Sequence, residues 1–249
     1  MMLQNACALV TGAGQGIGKE IALALAREGC AVAVNDLYAE RASAVVAAIG
    51  AAGGKAVVAE GNVAVGDAVK SMVETTVAQL GKLDILVNNA GMILKTPFWD
   101  ITEKDWDTIM AVNLKSVFLC CQAAAPYMKA QKSGKIINIA SVAGKVGGGL
   151  LGNTAYAASK AGVIAVTKGL ARELGPYGVN VNAITPALTE TDMTKDISSE
   201  KRAQIISNIP LGRPGKPEDI ANAVLFLASP LASFVNAEIM DVDGGFMRD

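Results

Sequence analysis

"TGAGQGIG", residues Thr11–Gly18, decides how the rest of the chain is read. It has the look of a phosphate-cradling loop, yet it breaks the G-x-G-x-x-G spacing of dinucleotide-binding turns. Gly12 and Gly14 are in place, but the third required glycine falls on Ile17. Upstream lies the short apolar run "ACALV"; downstream, "GKEIALALAREG" repeats apolar residues at helical spacing as far as Gly29. A turn so placed can offer backbone N–H groups and a helix N-terminus to a diphosphate, and glycine lets the backbone approach oxygens that a Cβ would block. It could also be an ordinary strand-to-helix connection. Asp36 closes the next apolar run, "AVAVND", about 20 residues on, where an acidic side chain takes ribose hydroxyls. Asp36 could equally cap the following helix.

Outward from this loop the pattern alternates. "AERASAVVAAIGAAGG" predicts a helix closed by Gly53 and Gly54, "KAVVAEGN" a strand, "VKSMVETTVAQLG" a helix and "LDILVNNAG" a strand running into a polar loop. Two long helical stretches, 103–132 and 155–175, lie on either side of "KIINIAS". "VNVNAIT" and "AEIMDVDGG" are the last strands, with the helix "PEDIANAVLFLAS" between them. Apolar strands that do not alternate, separated by helices, predict an α/β fold: a doubly wound, mostly parallel sheet covered on both faces. No repeat, low-complexity tract or linker divides the 249 residues, so they are expected to form one domain.

Composition excludes several classes. The net charge is −1 with Lys and Arg scattered, which argues against a nucleic-acid partner or an anionic membrane surface. Although 51% of residues are hydrophobic, "AVVAAIGAAGG" is short and broken by Gly, and "ANAVLFLASPLASFV" is interrupted by Asn, Ser and Pro, so neither reads as a membrane span. Cys7, Cys30, Cys120 and Cys121 form no C-x-x-C pair and read as buried, reduced thiols. The N-terminal residues lack a secretory pattern, and the expected location is the cytoplasm. There are no histidines, so acid–base chemistry must rest on Tyr, Lys, Ser, Cys or carboxylates, and no metal site is expected.

Tyr156 and Lys160 in "YAASK" are four apart, hence on one face of a helix. An ammonium beside a phenol favours phenolate, and such a Tyr could exchange a proton with an alcohol or carbonyl oxygen. As a lone pair the two residues would more often be a surface contact. They are not alone. The spacing T-G-x-x-x-G-x-G in "TGAGQGIG" resembles the cofactor loop of the short-chain dehydrogenase/reductase family, and further motifs of that family follow in order. They are "NNAG" at Asn88–Gly91, Asn113 in "VNLKSVF", Ser141 in "IINIAS" and the Y-x-x-x-K of Tyr156–Lys160. The resemblance, in its 3-oxoacyl-carrier-protein-reductase-like branch, implies a single Rossmann domain with a seven-stranded sheet. Its cofactor half would span roughly 1–140 and its catalytic and substrate half roughly 141–249.

The same resemblance implies a catalytic set of Asn113, Ser141, Tyr156 and Lys160. Ser141 would bond the substrate oxygen, the Asn113 side chain would hold a water, and Lys160 would also hold the nicotinamide ribose. The dinucleotide would lie against Gly12, Gln15, Gly16, Ile17, Gly18, Asp36, Leu37, Asn62, Val63, Asn89, Ala90, Gly91, Tyr156, Lys160, Pro186, Thr189 and Thr191. Three departures stand out: Pro186-Ala187 where Pro-Gly is expected, Asn62 where Asp is frequent, and a Gly-rich insert between Ser141 and Tyr156. Gln15 and Leu37 stand where NADP-dependent relatives place cations, and Asp36 would repel a 2′-phosphate, so the expected cofactor is NAD(H) rather than NADP. Leu94, Leu150, Leu151 and Met193 are the expected substrate walls, suited to a small secondary, cyclic or polyol alcohol and its ketone. The alternative is a 3-oxoacyl-carrier-protein reductase, which "TETDM" and "LGRPGKPEDIANAVLFLAS" resemble. Against it, only Lys132 stands where basic carrier-contacting residues are expected, with Tyr177 in the other place. A non-catalytic dinucleotide sensor would have lost part of the Ser–Tyr–Lys set. The resemblance further implies a homotetramer, or a dimer, built through the two long helices.

Overall fold

The protein is described here from a computed structural model covering residues 1–148 and 151–248. Seven strands form one sheet: β1 Cys7–Val10, β2 Ala31–Val34, β3 Ala56–Val58, β4 Ile85–Asn88, β5 Gly134–Ile139, β6 Val179–Pro186 and β7 Ile239–Val242. Every pairing is parallel, and the order is β3-β2-β1-β4-β5-β6-β7. Between the strands run α1 Gly16–Arg27, α2 Ala39–Ala51, α3 Gly66–Leu80, α4 Glu103–Met110, α5 Ser116–Gln131, α6 Ala143–Val146, α7 Thr154–Leu174, α8 Ser199–Ile206 and α9 Pro217–Ala228.

Period-two alternation divides each strand between two cores. Ala8, Val10, Val32, Val34, Ile85, Val87, Ile137 and Ile184 face α1, α2 and α9. Cys7, Leu9, Ala33, Leu86, Ile136, Val181 and Ala183 face α3, α5 and α7. Both sides of each strand are therefore apolar, which is why no polar-out pattern is visible in the sequence. All four cysteines are buried and free, as expected, and burial raises each thiol pKa.

β2 lies on one side of β1 and β4 on the other, so the chain reverses direction across the sheet at β1. Beyond the carboxyl ends of β1 and β4 this opens a crevice, the usual ligand position of doubly wound sheets. Residues 103–131 run as α4, a π-helical turn at Ala111–Lys115 and α5. This stretch is long and apolar enough by length and composition to cross a membrane. Its apolar positions Val117, Cys120, Cys121, Ala124 and Met128 are nevertheless buried in the sheet's second core. Leu188, Ile205 and Ile209 make a third, small core with Leu151 and Phe246, binding the segment after β6 to the insert and to the C-terminal residues.

Candidate active site

The opening loop is knotted to the loop after β4. Thr11 Oγ1 accepts hydrogen bonds from the backbone N–H groups of Asn89 (3.0 Å) and Ala90 (3.1 Å). Asn89 Nδ2 donates back to the carbonyls of Thr11 (2.9 Å) and Gly12 (3.0 Å). A Cβ on Gly18 would lie 2.3 Å from Asn89 Nδ2 and from the Gly12 carbonyl, so glycine is required for this closeness. Gly12 and Gly16 have φ of +59° and +55°, a region that glycine enters without penalty. α1 starts at Gly16 with no side-chain cap from Gln15 and no acid in its first turn. Its first N–H groups and the positive end of its dipole are thus available to an anion.

All seventeen residues expected to hold the dinucleotide line one cavity of about 410 Å³, together with Ser141, Leu151 and Met193. The cavity runs from Asp36, Leu37 and Asn62 past the glycine loop to Tyr156. A glycine cradle, an uncapped helix end, a carboxylate at the end of β2 and a buried ammonium fit a nicotinamide dinucleotide. Asn62 Oδ1 accepts the Ala64 N–H (2.9 Å) in a local turn, leaving its second lone pair for an adenine. Ala187 lines the cavity without a positive φ, so the missing glycine is accommodated in the β6 loop.

The residues expected to be catalytic come from three elements. Ser141 follows β5, and its Oγ accepts the Ala143 N–H (3.1 Å). Tyr156 and Lys160 lie on α7, which is capped by Asn153 Oδ1 accepting the Tyr156 N–H (3.0 Å). Ser141 and Tyr156 line the same cavity, and the Ser141 hydroxyl acts on the phenol in the direction that lowers its pKa. The Lys160 ammonium sits 6.0 Å from the Tyr156 ring centroid and donates to the Ile139 carbonyl (2.7 Å). Gly152 makes room for the phenol: a Cβ there would be 2.2 Å from Tyr156 Cδ1. The Lys145–Asp241 ion pair (2.6 Å) and the Thr185–Asp241 hydrogen bond join α6 to β6 and β7.

The electrostatics differ from the expectation. Lys160 was expected to pull the Tyr156 pKa down; in the protein alone it is raised, because the phenol head lies deep among protein atoms, with the Ser141 hydroxyl as a smaller opposing effect. Burial likewise lowers Lys160 to about 8. Asn113 also differs. Its Oδ1 accepts the Met92 N–H (2.8 Å), and its Nδ2 donates to the Met92 carbonyl (2.9 Å) and Ser159 Oγ (3.1 Å). A fully buried amide so engaged has no donor left for a water. Its side chain instead pins the loop after β4 onto α7.

Among the expected substrate walls, Leu94 does not line the cavity; its carbonyl accepts the Asn153 N–H (3.1 Å), and Met92 and Ile93 form the wall. Leu150 lies outside the described residues. Phe98 and Trp99 are surface residues, 67% and 82% exposed. Val142 and Leu188 line the cavity without having been picked out from the sequence; nothing in a lone Val or Leu would signal it.

A family model described as enoyl-(acyl carrier protein) reductase matches residues 12–247. The chain is 47% identical over 247 residues to the 3-oxoacyl-[acyl-carrier-protein] reductase FabG of Staphylococcus aureus, covering 98% of this chain and 99% of that one. It is 46% identical over 244 residues to the 3-oxoacyl-[acyl-carrier-protein] reductase of Synechocystis sp., covering 96% of each. The FabG of Thermotoga maritima is 42% identical over 247 residues, covering 99% of this chain and 100% of that one. Among solved structures, a dehydrogenase/reductase from Sinorhizobium meliloti 1021 superposes with a TM-score of 0.92 at 39% identity, covering 98% of this chain and 96% of that one. The expectation of a small secondary, cyclic or polyol alcohol as substrate is overturned, since full-length relatives at this identity are named for 3-oxoacyl-carrier-protein reduction. The chain belongs to the short-chain dehydrogenase/reductase family of oxidoreductases, in its 3-oxoacyl-carrier-protein-reductase-like branch.

Proposed function

We propose that this protein reduces the ketone of a 3-oxoacyl thioester, presented on an acyl carrier protein, to the 3-hydroxyacyl thioester, using NADH. The observation that carries the reading is the meeting of Ser141, Tyr156 and Lys160 beside the cavity's apolar wall, in a chain whose full-length relatives are named for 3-oxoacyl-carrier-protein reduction. A phenol that stays protonated at neutral pH is equipped to donate to a carbonyl oxygen, the proton transfer a reductase needs. The bound nicotinamide supplies the hydride. Ser141, beside the phenol, donates a second hydrogen bond to the same oxygen. Lys160 places a buried positive charge behind Tyr156 and stabilises the phenolate left after proton transfer. Asn113 holds Met92 and α7 in place around these groups. Met92, Ile93, Val142, Leu151, Leu188 and Met193 offer an apolar wall to an acyl chain.

The carrier is an acidic partner in this reading, so its dock must be basic. Tyr177, which stands where a cation was expected, has the Lys129 ammonium 4.1 Å over its ring. The exposed Lys129 and Lys132 thus place positive charge at the end of α5, and the exposed Lys168 adds a charge on α7. For the cofactor, Asp36 is buried at 6% exposure where the adenosine ribose would lie, which favours NADH over NADPH. Exposed Trp106 and Phe118 on α4 and α5 support assembly into a homotetramer, or a dimer, through the long helices.

The test is loss of nicotinamide absorbance with acetoacetyl-carrier protein as acceptor, for the wild type and Tyr156→Phe. Turnover is expected with the wild type, and a loss of about 10²–10⁴-fold in the variant with NADH binding intact. An enzyme that binds NADH but turns over no 3-oxoacyl thioester would overturn the proposal.

A further inference from the structure

Gly14 is the one loop glycine whose purpose the nucleotide site leaves open. Its φ is not positive, so the backbone does not require glycine there. Its N–H donates to Asp36 Oδ2 at 3.0 Å. A Cβ built on Gly14 would lie 2.6 Å from that same oxygen, 2.8 Å from the Asp36 carboxyl carbon and 2.6 Å from Arg41 Cβ. The space a side chain would fill is thus already taken by the carboxylate and by the stem of Arg41. Asp36 Oδ1 is held on its other side by the Tyr38 N–H (3.1 Å), and the Arg41 guanidinium rests 4.4 Å over the Tyr38 ring.

We infer that Gly14 is a positioning residue for cofactor selectivity: by lacking a side chain it seats the Asp36 carboxylate against the loop, which fixes the anion that separates NADH from NADPH. A carboxylate held by two backbone donors cannot swing away from an incoming 2′-phosphate, and its remaining lone pairs stay directed at the ribose. Any Cβ at position 14 pushes the carboxylate off this seat, and Asp36 becomes a mobile surface acid that neither holds the ribose nor excludes the phosphate. Gly12, Gly16 and Gly18 serve the loop and the diphosphate, and Gly14 serves the ribose. The inference rests on the reading of Asp36 as the ribose acceptor.

The experiment is direct titration of the full-length protein with NADH and, separately, with NADPH, followed by cofactor fluorescence and by the shift in Tm. It uses the wild type, Gly14→Ala, Asp36→Ala and the double variant. Gly14→Ala is expected to weaken NADH by about tenfold, the scale of one hydrogen bond to a charged group, and to leave NADPH unchanged or tighter. In the Asp36→Ala background the same glycine substitution should change NADH affinity by no more than about twofold, because residues acting as one unit are not additive. If Gly14→Ala weakens both cofactors alike, or if the two losses multiply, the inference is overturned and Gly14 belongs to the diphosphate loop. If Asp36→Ala itself leaves NADH affinity unchanged, the reading of Asp36 fails, and the inference with it. If Asp36→Ala weakens NADH but Gly14→Ala does not, only the seat fails. Should Gly14→Ala fold only when Asp36 is also removed, the conflict with the carboxylate is shown by folding itself. Failure of both to fold would mean that the loop, and not Asp36, needs the glycine.

Discussion

Replacing Lys160 with methionine should make the cofactor-free protein more stable at pH 7 while removing its turnover. The ammonium is buried and its pKa falls from 10.5 to about 8, with desolvation as the cause. That gap disfavours the folded wild type by ~3 kcal/mol at pH 7, taking ~1.36 kcal/mol per pH unit. Methionine keeps the length of the stem and removes the charge, but it leaves the Ile139 carbonyl without its donor at 2.7 Å. That loss returns about 1–2 kcal/mol, so a net gain of ~1–2 kcal/mol is expected. The sign with pH follows from proton counting. Between about pH 8 and 10.5 the unfolded chain holds a proton that the folded wild type has released, so wild-type stability rises with pH. The variant has no such titration, and its advantage should shrink by ~2 kcal/mol between pH 7 and about pH 9.5. Urea denaturation followed by far-ultraviolet circular dichroism measures both quantities. The four buried thiols, whose raised pKa values act in the opposite direction, are common to the two proteins and cancel in the difference. A variant less stable than wild type at pH 7, or a difference that does not move with pH, would refute the argument that Lys160 is held charged at a cost.

Two further substitutions probe how the site is held. Gly152→Ala places a Cβ 2.2 Å from Tyr156 Cδ1, so the ring must shift; kcat should fall by about 10²-fold with NADH affinity unchanged, and a normal kcat would mean that the insert yields instead of the ring. Asn113→Ala leaves the Met92 N–H and carbonyl without partners, which should lower stability by ~2–4 kcal/mol in urea unfolding. If Asn113→Ala instead unfolds like wild type and loses only turnover, Asn113 acts on a proton path and not as a pin.

The sheet was legible because parallel strands covered on both faces are short unbroken apolar runs, and each run here ends at a glycine or a polar loop. The glycine-loop residues lining the cavity were legible for a related reason. They sit in loops whose geometry restricts residue type, such as Gly12 and Gly16 at positive φ and Gly18 against Asn89. The π-helical turn at Ala111–Lys115 and the short helices α6 and α8 were not legible. Four to eight residues carry too few turns for a helical period to stand out; α8 is ordered by packing of Ile205 and Ile206 with Leu188, Ile209 and Phe246, α6 by the close approach of Gly144 to α7, and the π-helical turn by the bonds of Asn113 to Met92 and Ser159. The pKa of Tyr156 was read with the wrong sign because sequence shows the neighbouring ammonium but not the burial that outweighs it.

The substrate was misread for a deeper physical reason. Motifs such as "NNAG" and "YAASK" specify where a dinucleotide lies and which group moves a proton, and those requirements are the same for a small alcohol and for a 3-oxoacyl thioester. What separates the two is the apolar wall and the charge outside the cavity. The wall is made of Met92, Ile93, Val142 and Leu188, residues that a sequence uses anywhere in a core. The charge was judged too small because only Lys132 was found, with Tyr177 occupying the other position where a cation was sought. Folding brings Lys129 from α5, 48 positions earlier in the chain, to within 4.1 Å of the Tyr177 ring, so that in the proposed reading another element would supply the cation at that place. A surface that presents charge to an acidic carrier needs the ammonium at a point in space, and any element that reaches the point can supply it. Matching residue by residue along the chain therefore undercounts a docking surface in the same measure that it overvalues a catalytic motif.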